Sequence, residues 1–516
     1  MRRLTRQIVV HSLLLVYLVD GVVGSNSTGV GDLKTRCRDG ERQALLKFKD
    51  NLDDDHDVLP SWNNKEENRE CCNWCGIRCD NVSGHVIMLD LCQSTYLRGN
   101  ISSSLIELSH LNYLNLQGIN LSGNPIPTFF VKMTSLTYLN LSWCNLQGLI
   151  PESVGNLIAL DYLDLSHNKL EGEIPKSIWN ICTLKILNVS SNKLSGQFSE
   201  PNERSCGQYS LEHLDVSRNS IMGSFPNLTL FPSLKTLSLS SNQLNGSVHQ
   251  RIGQLSELEY LDISNNSLEG VISEAHFAKL SKLRFLDLSF NQLHLNVSSA
   301  WIPPFKLEEI RLSSCKLGPQ FPEWLQTQNN YIHLDISNTK ISDPIPSWFW
   351  NLATNSTFLN VSNNQIRGAI ANSTVEWNYY KEEIDLSSNQ LEGPVPLFLF
   401  KVNVLQLSRN NFSDINSACG VTEDGWLTIL DLSYNQLSGK LFNCWSHFNY
   451  LKVLNLAYNE LVGEIPKTIG SLTLLEALLL SKNRFVGELP LSLKNCTELK
   501  FLMSGKISYG DQYPLG

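Results

Sequence analysis

Leucine and asparagine recur along this chain in one phrase, Leu-x-x-Leu-x-Leu-x-x-Asn-x-Leu, which is followed by Gly and often by Ile-Pro. One clear copy contains Leu160, Leu163, Leu165, Asn168 and Leu170. The phrase returns about every 24 residues, and a fixed period of this length is typical of a solenoid. Each unit of a solenoid contacts only its neighbours, so the 516 residues are expected to form one elongated domain.

Apolar and polar positions alternate within the short Leu-x-Leu part of each repeat, which predicts a β-strand with one buried face. In the repeat that begins at Leu427, we expect Leu430 and Leu432 to enter the core and Asp431 to face the concave surface. The Asn at the ninth position is predicted to turn its amide inward, where it binds backbone groups of the loop. One strand per repeat gives a parallel sheet of about sixteen strands.

The beginning of the chain has the order of a secretory signal. Arg2 and Arg3 precede an apolar run over residues 8–18. This order predicts a signal peptide over residues 1–24, which is cleaved after Gly24. A membrane span is the weaker interpretation, because it needs about 20 apolar residues.

The remaining chain divides into a lead, a cap, the repeats and a tail. The predicted ranges are 25–36 for a flexible lead, 37–83 for an N-terminal cap, 84–503 for the repeats and 504–516 for an irregular, truncated tail. The spacing of Ala44, Leu45 and Phe48 predicts a short amphipathic helix in the cap, which covers the open end of the core. About 17 repeats are expected.

The sequence of the tail indicates that this chain is a fragment of a longer product. Leu499 and Leu502 begin another repeat, but Ser504 stands where leucine is expected and no closing cap follows. A solenoid that is open at one end exposes apolar core surface, so we expect the native product to continue.

Thirteen cysteines follow the predicted signal peptide, and secretion favours their oxidation. Disulfides are preferred to a zinc site in the cap, because no matching ligand pair lies downstream. The preferred pairs are Cys37–Cys71, Cys72–Cys79, Cys182–Cys206 and Cys419–Cys444. Cys144 and Cys315 occupy the Asn slot and are predicted to be buried thiols. The partners of three cysteines stay open: Cys75, Cys92 and Cys496. A disulfide between Cys75 and Cys92 is one alternative.

Fifteen Asn-x-Ser/Thr sequons agree with passage through the endoplasmic reticulum and predict a glycoprotein. Asn26 lies in the lead. The other candidates are Asn81, Asn100, Asn120, Asn140, Asn188, Asn227, Asn245, Asn265, Asn296, Asn355, Asn360, Asn372, Asn411 and Asn495.

Charge and motif content argue against several functions. The net charge is −9, from 41 basic and 50 acidic residues without a basic stripe, so no nucleic acid is expected as a partner. No zinc-protease, hydrolase, phosphate-loop or kinase phrase appears, and we predict no enzymatic activity, no metal and no cofactor. Asp repeats at one concave position, which we interpret as the polar side of the strands rather than as catalytic pairs. The acidic run at residues 53–57 is interpreted as a solvated loop, with a cation site as the alternative.

The concave surface is the expected binding surface, and its side chains change along the chain. Its third position carries mainly aromatic residues at the N-terminal end and aliphatic residues at the C-terminal end. The aromatic residues have two open interpretations: they stack to support the sheet, or they contact a partner. No sequon lies between Asn411 and Asn495, and a glycan-free surface is open to a protein. The candidate contact residues in this gap are Ile429, Tyr434, Val453, Tyr458 and Leu479.

Two segments of the cap resemble a known family. Residues 37–49, Cys-Arg-Asp-Gly-Glu-Arg-Gln-Ala-Leu-Leu-Lys-Phe-Lys, and residues 71–74, Cys-Cys-Asn-Trp, are similar to the cap of plant leucine-rich-repeat receptor-like proteins. Residues 180–184 and 443–445 resemble phrases of the fungal-xylanase-receptor and scab-resistance type. The resemblance implies an α/β-type solenoid, a right-handed leucine-rich-repeat superhelix of the plant-specific type. It has a concave parallel β-sheet and a disulfide-bonded N-terminal cap.

The resemblance also implies a receptor at the plant cell surface that has no kinase of its own. Such a receptor senses an extracellular, microbial protein or peptide for defence, and it signals through co-receptor kinases if the full product is anchored in the plasma membrane. Without an anchor the apoplast is the expected location. Two alternatives stay open: a secreted binder that inhibits a microbial wall-degrading enzyme, and a nonfunctional truncated copy. The missing closing cap favours the receptor over the inhibitor.

Overall fold

The computed structural model describes residues 36–91, 96–201, 205–373, 377, 382–421 and 426–504. The predicted signal peptide, most of the predicted lead, most of the predicted tail, Asn26 and Cys92 lie outside these residues.

The N-terminal cap is built on the α-helix Asp39–Lys49, as the apolar spacing predicts. Ala44, Leu45 and Phe48 are fully buried on its inner face. The rings of Trp62 and Trp74 stack behind the helix with their centroids 5.4 Å apart. The cap therefore has a core of its own, which continues into the core of the first repeat.

The cap joins the repeats through short strands. Leu52–Asp53 pairs antiparallel with Arg98–Gly99, and Ile77–Cys79 pairs antiparallel with Val86–Asp90. The second pair starts the main sheet, so the cap covers the first edge of the solenoid.

Within the described residues the main sheet has nineteen strands, somewhat more than the sequence predicts. After the antiparallel cap strand, every neighbouring pair is parallel and follows chain order. The strands are Ile77–Cys79, Val86–Asp90, Tyr113–Asn115, Tyr138–Asn140, Tyr162–Asp164, Ile186–Asn188, His213–Asp215, Thr236–Ser238, Tyr260–Asp262, Phe285–Asp287, Glu309–Arg311, His333–Asp335, Phe358–Asn360, Glu383–Asp385, Val404–Gln406, Ile429–Asp431, Val453–Asn455, Ala477–Leu479 and Phe501–Met503.

Smaller sheets and single helical turns form the sides and back of the solenoid. The additional strands are Gln147–Leu149, Lys169–Gly172, Lys193–Leu194, Met222–Ser224, Gln243–Ser247, Ser267–Ile272, Gln292–Leu295, Arg367–Ala369, Gln390–Pro394, Asn411–Asp414, Ser438–Lys440, Glu460–Gly463 and Arg484–Phe485. The 3₁₀ helices are Glu66–Asn68, Cys71–Asn73, Ser103–Glu107, Thr128–Lys132, Glu152–Asn156, Lys176–Asn180, Gly207–Tyr209, Leu228–Leu230, Gln250–Gln254, Glu274–Phe277, Glu323–Thr327, Ala353–Asn355, Leu397–Phe400, Asn416–Gly420, Trp445–His447, Lys467–Ser471 and Leu491–Asn495. One further α-helix is Ser347–Leu352.

The asparagine of each repeat ties neighbouring repeats together, as predicted. Nδ2 of Asn389 donates to the carbonyl of Val361 at 3.0 Å and to that of Leu386 at 3.1 Å. Its Oδ1 accepts from the backbone N–H of Ile366 at 3.0 Å. Because a buried backbone group needs a partner, one amide satisfies several such groups at a time. The same slot holds the buried thiols of Cys144 and Cys315.

Candidate ligand-binding surface

Serines hold the acidic side chains of the concave strands. Oδ1 of Asp287 accepts from the backbone N–H of Ser289 at 2.9 Å. Asp262 accepts from both the N–H and the hydroxyl of Ser264, at 3.0 and 2.6 Å. A side chain that binds the backbone two residues later forms an Asx turn, and here it ends the strand. The recurring aspartates are therefore part of the repeat structure, which agrees with their interpretation as strand residues.

The middle of the concave surface carries a carboxylate whose pKa lies well above its usual value. Burial, and then the neighbouring charge of Asp262, raise the pKa of Asp287 to about 7. The guanidinium of Arg311 lies 3.9 Å from Asp287 and 2.6 Å from Glu309, and it lies over the Phe285 ring at 5.1 Å. Arg311 lowers the pKa of Asp287, but burial has the larger effect because it disfavours the charged form directly.

The N-terminal tyrosines form a stack along the sheet. The ring of Tyr138 lies 4.1 Å from that of Tyr113 and 4.2 Å from that of Tyr162. Burial raises the pKa of all three hydroxyls above the usual value. These rings are stacked and only partly exposed, which favours the interpretation that they support the sheet over the interpretation that they contact a partner.

The candidate contact residues near the C-terminal end lie together. Ile429 and Val453 are partners in adjacent strands, and Leu479 lies at the end of the next strand. The rings of Tyr434 and Tyr458 stack with centroids 4.1 Å apart, and each tyrosine is 42% exposed. We call these five residues the C-terminal patch. Unlike the N-terminal tyrosines, its rings are open to solvent.

Sequence reasoning missed four residues next to this patch. The guanidinium of Arg409 lies 4.7 Å above the Tyr434 ring. Lys482 occupies the same slot three repeats after Arg409, and it is exposed. Trp426 and Tyr450 stack at 5.1 Å beside the beginning of the strands. Reading the residue before each Asn across successive repeats finds Arg409 and Lys482.

Two of the glycosylation candidates require correction. The side chains of Asn140 and Asn188 are only 4% and 7% exposed. Oδ1 of Asn140 accepts from the N–H and hydroxyl of Ser142, which is the role of aspartate in other repeats. A glycan on Nδ2 needs access to solvent, so the folded sheet does not accommodate it at these two positions. The other predicted sites within the described residues are exposed or partly exposed and stay predictions.

The structure contains the four disulfides that the sequence favours: Cys37–Cys71, Cys72–Cys79, Cys182–Cys206 and Cys419–Cys444. The pairing of Cys72 with Cys79 leaves no basis for a zinc site at the cap thiols. Among the described cysteines, Cys75 is an exposed free thiol and Cys496 a buried one. A pairing of Cys75 with Cys92 stays a prediction, because Cys92 lies outside the described residues.

Glu41, His85 and His110 meet where the cap contacts the first repeat. The carboxylate of Glu41 lies 2.8 Å from Nδ1 of His85 and accepts from the N–H of Val86 at 2.8 Å. The two imidazole rings stack at 3.7 Å, inclined by 19°. The three side chains each place one possible ligand atom within 4.8 Å of the others, and Glu41 already binds both His85 and the N–H of Val86. The cluster therefore joins the cap helix to the first long strand.

Three leucine-rich-repeat family models match the chain. The Leucine rich repeat N-terminal domain matches residues 38–80, and the Leucine-rich repeat region matches residues 93–343. The Leucine Rich Repeat model matches residues 426–448 and 450–472. No helix among the described residues has the length and apolar composition needed to cross a membrane.

Curated relatives include two tomato proteins. The chain is 33% identical to Receptor-like protein EIX2 of Solanum lycopersicum over 86% of this chain and 63% of the relative. It is also 33% identical to Receptor-like protein EIX1 of the same plant, over 72% of this chain and 56% of the relative. The chain thus spans less than two thirds of the length of either relative.

Solved structures with this fold include plant receptor ectodomains. The ectodomain of the receptor kinase GASSHO1/SCHENGEN3 from Arabidopsis thaliana, in complex with CASPARIAN STRIP INTEGRITY FACTOR 2, matches with a TM-score of 0.75 and 27% identity. That match covers 90% of this chain and 62% of the other. The Arabidopsis receptor kinase HAESA, in complex with the peptide hormone IDA and the co-receptor SERK1, matches with a TM-score of 0.63 and 26% identity. It covers 90% of this chain and 93% of the other.

Proposed function

Because this chain belongs to the leucine-rich-repeat family and is homologous to plant receptor-like proteins, we propose that it is the ligand-recognition ectodomain of a receptor without kinase at the plant cell surface. Its ligand is an extracellular protein or peptide of microbial origin, and its role is defence signalling. The peptide complexes of the similar ectodomains support this class of ligand.

The C-terminal patch is the observation that carries the proposal. It combines apolar strand residues with two exposed tyrosines, and exposed aromatic rings supply contact energy at a low entropy cost. Residues 412–494 contain no sequon, so no glycan attached there covers the patch. The patch is therefore the surface on which we expect the ligand.

Co-receptor kinases and attachment to the plasma membrane belong to the same proposal. The HAESA complex includes a co-receptor, which supports this kind of partner for a homologous ectodomain. Partitioning of the native product between membranes and wall fluid tests the location.

Panning of a displayed library of secreted microbial proteins and peptides on the immobilised chain tests the function. We expect binders that are lost on a Tyr458→Asp/Leu479→Asp double variant. They should be retained on Leu149→Asp, because Leu149 is 62% exposed in a strand outside the main sheet. Retention of every binder on the double variant would exclude the patch. A binder that is a wall-degrading enzyme and loses its activity in the complex would instead support the secreted inhibitor.

A further inference from the structure

The two tyrosines of the C-terminal patch and one cation on either side of them form a continuous ladder. Arg409, Tyr434, Tyr458 and Lys482 occupy the same slot in successive repeats, and all four have a positive φ between 55° and 59°. The backbone N–H of Arg409 donates to Ser433, and the corresponding bonds recur at both tyrosines. The sheet therefore fixes the spacing of the ladder at about 4.8 Å per step. We call it the cation–tyrosine ladder.

The two ends of the cation–tyrosine ladder are positively charged. Arg409 contacts the Tyr434 ring, and Lys482 lies one step beyond Tyr458. Both cations are exposed, and neither forms an ion pair with a carboxylate of the described residues. The nearby cation Arg484, in contrast, pairs with Glu460 at 3.4 Å. On a chain of net charge −9, two unpaired cations on one ladder form a local site for negative charge.

The strands beside the cation–tyrosine ladder carry apolar side chains together with the polar side chains of Asp431 and Asn455. Ile429 and Val453 lie side by side in the sheet, and Leu479 follows in the next strand. A ligand that reaches both cations therefore also lies over or beside apolar side chains. This combination favours a ligand that carries negative charge at two ends and an apolar group between them.

We propose that the cation–tyrosine ladder binds an extended acidic peptide segment, in which two acidic residues are four positions apart and an apolar residue lies midway. Three steps separate Arg409 from Lys482, which corresponds to about 14 Å. Four residues of an extended chain cover about 13 Å, and residues i, i+2 and i+4 point to the same face. The motif is thus Asp/Glu-x-apolar-x-Asp/Glu, and this inference rests on the proposed function.

An acidic wall polysaccharide offers carboxylates as well, but it fits the surface less well. A polyuronide carries a carboxylate on every sugar and no apolar side chain to contact Val453 or Leu479. The apolar surface therefore favours the peptide. Competition by oligogalacturonate is included as one arm of the test.

The test uses fluorescence polarisation with the full chain and two labelled synthetic peptides. One peptide has Glu at positions 2 and 6 and Phe at position 4, and the other has the second Glu at position 5. We expect the first peptide to bind more tightly, and its affinity to fall as the salt concentration rises. The Arg409→Glu/Lys482→Glu variant should weaken its binding roughly tenfold or more. Lys440→Glu is the control, because Lys440 is exposed in a strand outside the main sheet.

Three outcomes would overturn the ladder proposal: equal binding of both peptides, binding unaffected by the double charge reversal, or binding of oligogalacturonate alone. Failure of the proposed function is a different result. If library binders no longer bind the Leu479→Asp variant but carry no pair of acidic residues, the proposed receptor function is supported and the ladder proposal is contradicted. If all library binders still bind the Leu479→Asp variant, the C-terminal patch is excluded as the ligand-binding surface. Circular dichroism of each variant shows whether it is folded.

Discussion

Nδ2 of Asn389 donates to the carbonyl oxygen of Val361 at 3.0 Å, across the boundary between two repeats. The two residues are 28 positions apart, so the bond forms only when the repeats stack. Similar bonds at the other asparagine slots connect the solenoid from one repeat to the next.

Replacing Asn389 by Ala is expected to lower the free energy of unfolding by about 2 kcal/mol. The change leaves the buried backbone groups at Val361 and Ile366 without their partner. Chemical denaturation measures the loss. Gln390→Ala is the matched control, since Gln390 is the exposed next residue. Equal stability of the two variants would contradict the role of the amide.

Removing the Cys182–Cys206 disulfide is expected to destabilise the chain. The bond closes 24 positions of sequence, and a cross-link of this length contributes about 3 kcal/mol by restricting the unfolded chain. We therefore expect a lower Tm for Cys182→Ser/Cys206→Ser. Cys75→Ser should leave the Tm unchanged, because Cys75 is exposed and has no disulfide partner within the part of the chain that the structure describes. A shift of equal size in both variants would argue against this contribution.

Asp287→Asn is expected to stabilise the protein more at high pH than at low pH. Folding raises the pKa of this carboxyl from 3.8 to about 7, mainly by burial. Between these values the folded state keeps a proton that the unfolded state has lost, so stability falls as the pH rises and the full cost is present above pH 7. Asparagine has no charge to bury. Its amide oxygen also retains the bond from Ser289.

Thermal unfolding at about pH 4 and pH 8 checks this sign. The gain in Tm from Asp287→Asn should appear at pH 8 and vanish near pH 4. Asp431→Asn is the control, because Asp431 binds Ser433 in the same way but is only partly buried. A pH-independent difference for Asp287→Asn would show that the buried charge is not its cause.

Glycosylation is expected to differ between exposed and buried sequons. Asn227 and Asn245 are exposed and should carry glycans, whereas Asn140 and Asn188 should not. Enzymatic deglycosylation in heavy-oxygen water, followed by peptide mass spectrometry, marks each occupied asparagine. Occupied Asn140 in the folded, secreted protein would contradict the sheet geometry around Ser142.

The spacing of residues such as Leu163 and Asn168 was sufficient to predict the fold, because each repeat satisfies its own backbone groups with its neighbours. The same regularity agrees with the disulfide Cys419–Cys444, whose cysteines are 25 positions or about one repeat apart, while the helical spacing of Ala44, Leu45 and Phe48 indicated the cap helix. It did not distinguish Asn140, which replaces an aspartate in the sheet, from Asn227, which is exposed. Both have the same sequon, and only burial separates them.

Sequence alone determined the solenoid, the cap and the location of the C-terminal patch, since these follow from periodic spacing and from the gap between sequons. Tertiary structure decided which side chains near the C-terminal patch lie next to each other. Arg409 and Lys482 are 73 positions apart in sequence, yet stacking places them on one ladder with Tyr434 and Tyr458 between them. Stacking also buries Asp287 beside Asp262 and so changes its pKa. Contacts between repeats depend on the register of the sheet, which only the folded chain defines.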